Sequence, residues 1–335
     1  MTLKGHGLMD TSESILVVGA SGQLGTRIVQ RLSAAGRSVR AMVRATSQVS
    51  HLNLPGVELV IADLMQPTTL DAACRDAGAV IATANAVAPT HGSSFETVDD
   101  LGYAALIDAC ARHGCRRFVL ISVPVTPHDE AVPLFRTKRL IEQRLRASGL
   151  DYAILRAGPF MDDWFALIGS ALPARGDAAP LIRRRWRFLQ QFVRATGQLI
   201  DRHGIALVPG SADTRHAFIA IDDVATALIA AVDHPMLRNQ TRDLAGPEML
   251  SWGEVAALFA EVLRRPVRVV GVPGAVFRLQ QILINPFSAP AANIMGLNWL
   301  ASTTLPVTND GTLSLLGVSP TDARRFLCAK AALSA

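Results

Sequence analysis

Three glycines at a spacing of three, Gly19, Gly22 and Gly25, lie in a stretch (15–25) that reads I-L-V-V-G-A-S-G-Q-L-G. Each suits a separate task. Gly19 lets the chain turn sharply off the apolar run 15–18. Gly22 lacks a Cβ, so a pyrophosphate can approach the backbone. Gly25 lets the next helix pack against the strand. That helix, expected over 23–35, turns free N–H groups and its positive dipole end toward the phosphates. Ser21, Gln23 and Leu24 lie on the same turn and count with the glycines as dinucleotide contacts. The spacing is GxxGxxG, not the commoner GxGxxG. Its weight comes from its place between a buried strand and an amphipathic helix.

The second charge-bearing position follows about 20 residues on, where an NAD-preferring site carries an Asp or Glu for the ribose 2′-hydroxyl. Here stands Arg44, with Arg40 nearby and Thr46 and Ser47 after it. A guanidinium pairs with a 2′-phosphate, so the expected cofactor is NADP(H) rather than NAD. The strand expected at 57–62 runs into A-D-L (62–64). Asp63, beside Leu64, either accepts from the adenine amino group or caps the helix that starts near Pro67. Thr83, Ala84 and Ala86 are small residues at the end of a strand read at 79–84, over which a cofactor can cross closely.

These residues need a scaffold. Strands at 15–18, 38–44, 57–62, 79–84, 117–122 and 152–155 alternate with helical patterns that include 23–35, 95–113 and 134–148. Such alternation requires right-handed crossovers and a doubly wound parallel sheet, the α/β Rossmann-like class. At 156–160 (R-A-G-P-F) the chain turns out of the sheet, and Pro159 there is counted among the cofactor contacts. The reading divides the chain into a flexible tail (1–13), an NAD(P)-binding domain (14–160, with 217–245 returning to it) and a smaller C-terminal substrate lobe (161–216 and 246–335). In that lobe Arg183, Arg184, Arg185, Trp186 and Arg187 open a basic amphipathic helix with Ile182, Leu189, Val193 and Ile200 on its apolar side. Its basic face is either solvated or a peripheral contact for an anionic membrane surface or nucleic acid. Further on, 217–220 reads as a strand, Asp222 and Asp223 as a helix cap, and Ser251 with Glu254 as a capping box.

The 335 residues are half apolar and 18% charged, which permits a large core and excludes wholesale disorder. The net charge of +5 is a mild excess that fits an anionic cofactor better than a nucleic-acid coat. Cys74, Cys110, Cys115 and Cys328 form no CxxC pair and no metal-ligand grouping, so no metal is expected. They read as reduced thiols of a cytoplasmic protein. The start lacks the apolar stretch of a signal peptide. The longest uncharged stretch, 279–309, is broken by Pro286 and Pro290, so no integral membrane span is expected.

In their order, V-V-G-A-S-G-Q-L-G (17–25), V-R-A-M-V-R (39–44), A-D-L (62–64), R-R-F-V-L-I-S-V (116–123), the run 138–160 from K-R-L-I-E-Q to R-A-G-P-F, and I-A-I-D-D-V-A (219–225) resemble the NmrA-like, NAD(P)H-binding branch of the atypical short-chain dehydrogenases/reductases. The resemblance covers most of 14–270. It implies a Rossmann domain with a C-terminal substrate lobe, and that Lys138 reaches the nicotinamide ribose or the reacting carbonyl. Ordinary short-chain dehydrogenases use Tyr-x-x-x-Lys, in which the lysine lowers the phenol pKa. Here Leu134 stands four residues before Lys138, and neither tyrosine, Tyr103 nor Tyr152, has a lysine four residues on. The expected activity is therefore hydride transfer from NADPH to a hydrophobic quinone, enone or carbonyl. Lys138 would polarise the acceptor, and Ser122 or His128 would supply a hydrogen bond or proton. Phe277, Leu279, Ile282, Leu283, Phe287, Ile294 and Trp299 are expected to wall the substrate pocket. The alternative is a non-catalytic NADP(H)-binding sensor or scaffold. A nucleotide-sugar epimerase is disfavoured by the missing tyrosine pair.

Overall fold

The computed structural model describes residues 13–85, 94–184 and 186–333, so most of the expected tail, Ala86 and Arg185 lie outside the described residues. The strands are β1 (Ser14–Val18), β2 (Val39–Val43), β3 (Val57–Ile61), β4 (Ala77–Ala82), β5 (Arg117–Ser122), β6 (Tyr152–Ala157), β7 (Ile205–Pro209), β8 (Arg215–His216), β9 (Gln240–Leu244), β10 (Leu250–Ser251) and β11 (Arg268–Val272). The helices are α1 (Gln23–Ala34), α2 (Leu70–Cys74), α3 (Gly102–Arg112), α4 (Pro133–Ala147), α5 (Met161–Leu167), α6 (Arg187–Thr196), α7 (Ile221–Asp233), α8 (Trp252–Leu263), α9 (Gly274–Ile284), α10 (Ala289–Ala301), α11 (Thr312–Leu315) and α12 (Ala323–Ala332).

Seven strands form one sheet in the order β3-β2-β1-β4-β5-β6-β9. Every pairing in it is parallel, as the βαβ connections require. The chain winds outward from β1 in both directions, so the crevice between β1 and β4 opens at their C-terminal ends, where ligands bind in such sheets. β1 is covered on both faces. Ile15 and Val17 pack with Ile28, Val29 and Leu32 of α1 and with Val224 and Leu228 of α7. Leu16 and Val18 pack with Tyr103 and Leu106 of α3 and with Ile141 and Leu145 of α4. A near-continuous apolar strand is the sequence mark of that two-sided burial.

A second core lies beyond β6. Phe165 of α5 stands edge-on to Phe218, Phe259 and Phe326, with ring centroids 5.1, 6.0 and 6.1 Å away. Trp252 completes the cluster with no exposed surface. The capping box of α8 is formed: Glu254 N–H donates to Ser251 Oγ at 3.1 Å, and Ser251 N–H donates to Glu254 Oε2 at 2.7 Å.

Three local expectations change. The strand read at 217–220 is a single bridge, Phe160 to Ile219, beside the short β8. There the returning chain meets the one leaving β6, with Ile219 N–H on Pro159 O at 3.0 Å and Met161 N–H on Ile219 O at 2.9 Å. Asp222 and Asp223 occupy the first turn of α7 rather than its cap, which is Ala220. The basic helix begins only at Arg187, because Leu181–Arg183 is a separate 3-10 turn entered from Pro180.

Gly25 sets a local limit on this architecture. A Cβ there would fall 2.1 Å from Gly19 O and 2.9 Å from Ala20 Cα, both backbone atoms. Gly25→Ala should therefore cost about 2 kcal/mol or more in urea unfolding. Gly253→Ala in α8, where a Cβ meets nothing closer than 3.4 Å, should be neutral or slightly stabilising.

Candidate functional site

The C-terminal ends of the central strands open into a cleft of about 630 Å³. Its first wall is the glycine turn. Gly19 has φ +85°, and a Cβ there would lie 2.8 Å from Ala84 N and 2.9 Å from Thr83 Oγ1. The turn is closed by Gly22 N–H on Gly19 O at 2.9 Å. Gly22 is the N-cap of α1, no side chain caps that end, and its first turn holds no acidic residue. Among the described residues no side chain competes with an anion for these N–H groups, so the cradle fits a dinucleotide's phosphates.

The other expected cofactor contacts line the same cleft: Ser21, Gln23, Leu24, Arg44, Asp63, Leu64, Thr83, Ala84, Lys138 and Pro159. Several of their side chains are already engaged. Thr83 Oγ1 donates to Val18 O at 2.9 Å, and Ala84 O accepts from the Tyr103 hydroxyl at 2.6 Å. Asp63 Oδ1 accepts from Met65 N–H at 3.0 Å, so this carboxylate holds its own turn and does not cap a helix. Gln23 turns its amide away, donating to Asp177 Oδ2 at 2.8 Å and accepting from Leu181 N–H at 3.2 Å. Its contact with a cofactor falls to the backbone.

Lys138 lies on the inward stripe of α4, in step with Leu134, Ile141 and Leu145, and only 2% of it is exposed. The stripe carries its ammonium to the end of β5, where Nζ donates to Ile121 O at 3.1 Å and sits 5.6 Å from the Tyr103 ring centroid. Leu134, at the position of the absent tyrosine, lines the cleft in its place.

Ser122 and His128 do not stand as free proton donors here. Ser122 Oγ lines the cleft but donates to the buried Glu142 Oε1 at 2.6 Å. Glu142 is also held by Arg139 (2.6 Å), Arg156 (2.6 Å) and Arg146 (3.0 Å). Burial opposes its charge, but Arg156, Arg139 and the Ser122 hydroxyl together hold the carboxyl below its usual range. Thus Ser122 belongs to an ion cluster under the cleft. His128 is exposed outside the cleft, tilted against Trp299 with ring centroids 4.7 Å apart.

None of the seven residues expected to wall the pocket lines it. Leu297, Leu300 and Leu305 face the cleft with Phe160, Trp164 and Trp186. Phe277, Ile294 and Trp299 do not line it. Leu279, Ile282, Leu283 and Phe287 face outward, Phe287 being 89% exposed. Composition gave their apolarity but not their direction, because α9 packs on α10 through only part of its surface.

Two residues of the cleft carry no motif. Arg184, read as part of a helix face, instead lines the cleft beside Gly22. Asp163 also lines it, and its Oδ1 is buried without a hydrogen-bond partner in the structure. Burial, then the neighbouring Asp162 and Asp177 carboxylates, push the Asp163 pKa up to about 8.

The fold and the phosphate cradle define a dinucleotide-binding protein of the Rossmann class. Residues 19–178 match the model of the NAD(P)H-binding family. The photosystem II assembly factor Ycf39 of Synechocystis is 29% identical over 269 residues, 80% of this chain and 73% of that protein. Ycf39 of Cyanophora paradoxa is 36% identical over 143 residues, a match that spans only 43% of this chain and 44% of that protein. An NAD(P)H azoreductase of Xenophilus azovorans is 27% identical over 258 residues, 77% of each chain. Among solved structures, an NADPH-dependent quinone oxidoreductase of Escherichia coli superposes with a TM-score of 0.68 at 18% identity, covering 94% of this chain and 98% of that one. Among the described residues no helix is long and apolar enough to cross a membrane.

Asp163 gives the site a pH signature. The unfolded chain loses this proton near pH 3.8 and the folded one near 8, so folding grows less favourable as pH rises between them. Asp163→Asn has no proton to lose. It should be more stable than the parent at pH 8, with the advantage shrinking by up to about 1.4 kcal/mol per pH unit toward pH 4. Urea unfolding at pH 5 and pH 8 measures this.

Proposed function

We propose that the chain is an NADPH-dependent reductase acting on a flat, hydrophobic acceptor, a quinone above all. One observation carries this reading: the cleft that begins at the glycine cradle continues, past the Lys138 ammonium, to a wall of Leu297, Leu300, Leu305, Trp164 and Trp186. A phosphate site, a fixed cation and an apolar chamber in one cavity are what hydride transfer to such an acceptor requires. Bound NADPH would supply the hydride. Arg44, exposed at the end of β2, would pair with the 2′-phosphate. Lys138, fixed by Ile121 O, would face the oxygen on which charge develops. A quinone takes hydride before it needs a proton, so water suffices where no tyrosine stands. The azoreductase and quinone oxidoreductase relatives support this reading by their named activities. The buried thiols Cys74, Cys110 and Cys115 accord with a reducing compartment such as the cytoplasm.

A second reading has its own support. The outward apolar residues of α9 and the Ycf39 relatives fit a cofactor-binding scaffold that works through a partner.

Wild-type protein should oxidise NADPH in the presence of simple quinones, seen as loss of the reduced nicotinamide absorbance. Tight NADPH binding with no turnover across a broad acceptor panel would overturn the reductase reading in favour of the scaffold. Lys138→Met keeps the packing of α4 and removes the cation, and should lower turnover about a hundredfold. Arg44→Asp should weaken NADPH binding about thirtyfold while leaving NADH nearly unchanged, as read by cofactor fluorescence.

A further inference from the structure

We propose that Arg184 clamps the diphosphate of the bound dinucleotide, so that the phosphate site is completed from the C-terminal lobe and not by the glycine turn alone. This inference rests on the NAD(P)H reading above.

The geometry places the guanidinium at the right backbone atom. Arg184 Nη2 lies 3.5 Å from where a Cβ on Gly22 would stand. Gly22 is the glycine whose missing side chain leaves room for a pyrophosphate, and α1 begins there with no capping side chain. The guanidinium and the uncapped amide N–H groups of α1 thus stand beside the same opening, where one anion can meet both.

The guanidinium lacks a counter-charge of its own. Among the described residues no carboxylate lies within ion-pair distance of Arg184, although it is partly buried. Burial, followed by the neighbouring Arg44 guanidinium, lowers its pKa. Asp163 and Asp177 offset this only from beyond ion-pair distance, so the two arginines that face one cleft are relieved chiefly when an anion arrives. A diphosphate carries the charge that both lack.

The segment is also held in place. At one end Asp177 Oδ2 takes Gln23 Nε2 at 2.8 Å and Arg27 Nη2 at 3.0 Å. In the middle Leu181 N–H meets Gln23 Oε1 at 3.2 Å. At the other end Gln190 Nε2, from α6, donates to Arg184 O at 2.8 Å and to Ile182 O at 3.2 Å. These bonds lay residues 177–184 across the start of α1 as a strap. Arg184 is therefore carried at a set distance from the glycine turn and pays little of the ordering cost of a long surface side chain.

The test is equilibrium titration of NADPH and NADH, by nicotinamide fluorescence, into wild type, Arg184→Ala and Arg44→Ala. Both dinucleotides share the diphosphate, and only NADPH has the 2′-phosphate. Arg184→Ala should weaken both by the same factor, about tenfold to thirtyfold, leaving their ratio unchanged. Arg44→Ala should weaken NADPH alone. Arg184→Lys, which keeps the charge, should recover part of the affinity and controls for any loss of folding seen in a thermal melt. If Arg184→Ala binds both cofactors as wild type does, the clamp is refuted while the cofactor reading stands. If its loss is confined to NADPH, the guanidinium serves the 2′-phosphate and the diphosphate assignment is refuted. If wild type binds neither dinucleotide, the cofactor reading itself fails and the clamp with it.

Discussion

One guanidinium joins the cofactor-binding sheet to everything built beyond it. Arg27, on the outward side of α1, pairs with Asp162 at 2.9 Å, Asp177 at 3.0 Å and Asp222 at 2.8 Å. The three carboxylates come from the start of α5, the strap and the start of α7. Asp162 and Asp177 are almost wholly buried, and a carboxylate in that position is strongly destabilising without a cation. Arg27 thus fixes the strap, the entry to the C-terminal lobe and the helix that returns to the sheet against a single turn of α1. The cleft wall formed by Trp164, Leu181 and Arg184 depends on that junction.

The floor of the cleft is arranged by the same principle at higher cost. Lys138 occupies a position where the stripe of α4 calls for an apolar side chain, and Glu142 one turn later is wholly buried among three arginines. Buried charges of both signs one turn apart on a helix do not raise stability over a packed apolar pair. They do fix geometry. Glu142 ties α4 to Ser122 at the end of β5 and to Arg156 at the end of β6, the two strands beside which Lys138 emerges. Positioning of the cation, rather than stability, accounts for a polar network in that place.

What could be read in the sequence divides along the distance over which its cause acts. The glycine turn was legible because Gly22 and Gly25 answer to Gly19 O a few residues away, although Gly19 itself answers to Ala84 across the sheet, and the sheet was legible because its buried strands carry a local pattern. The capping box at Ser251 and Glu254 is equally local. Lys138 was legible only through the family motif. Arg184 and Asp163 were not, because their roles arise when the strap, anchored by Gln23 to Asp177 across 154 residues, is laid over α1. Ser122 was placed in the cleft, but its engagement with Glu142 depends on how α4 seats against β5. For α9 the apolar composition was plain while its orientation was not, since Leu279 and Leu283 read alike whether they face a cleft or solvent.

The route of the chain at the sheet edge has a mechanical consequence. It leaves the sheet twice, after β6 at Gly158 and after β9 at Leu244, and the two exits run side by side, with Gly158 N–H on Leu244 O at 2.9 Å. Gly246 passes so close to Phe218 that a Cβ would fall 1.7 Å from its carbonyl oxygen. The returning segment at Ile219 is bonded to the first exit through Pro159 O and Met161 N–H, so three crossings lie together at one edge. What lies beyond β6 is thereby moored to the sheet along one seam of backbone bonds, with the Arg27 junction as a separate ionic mooring.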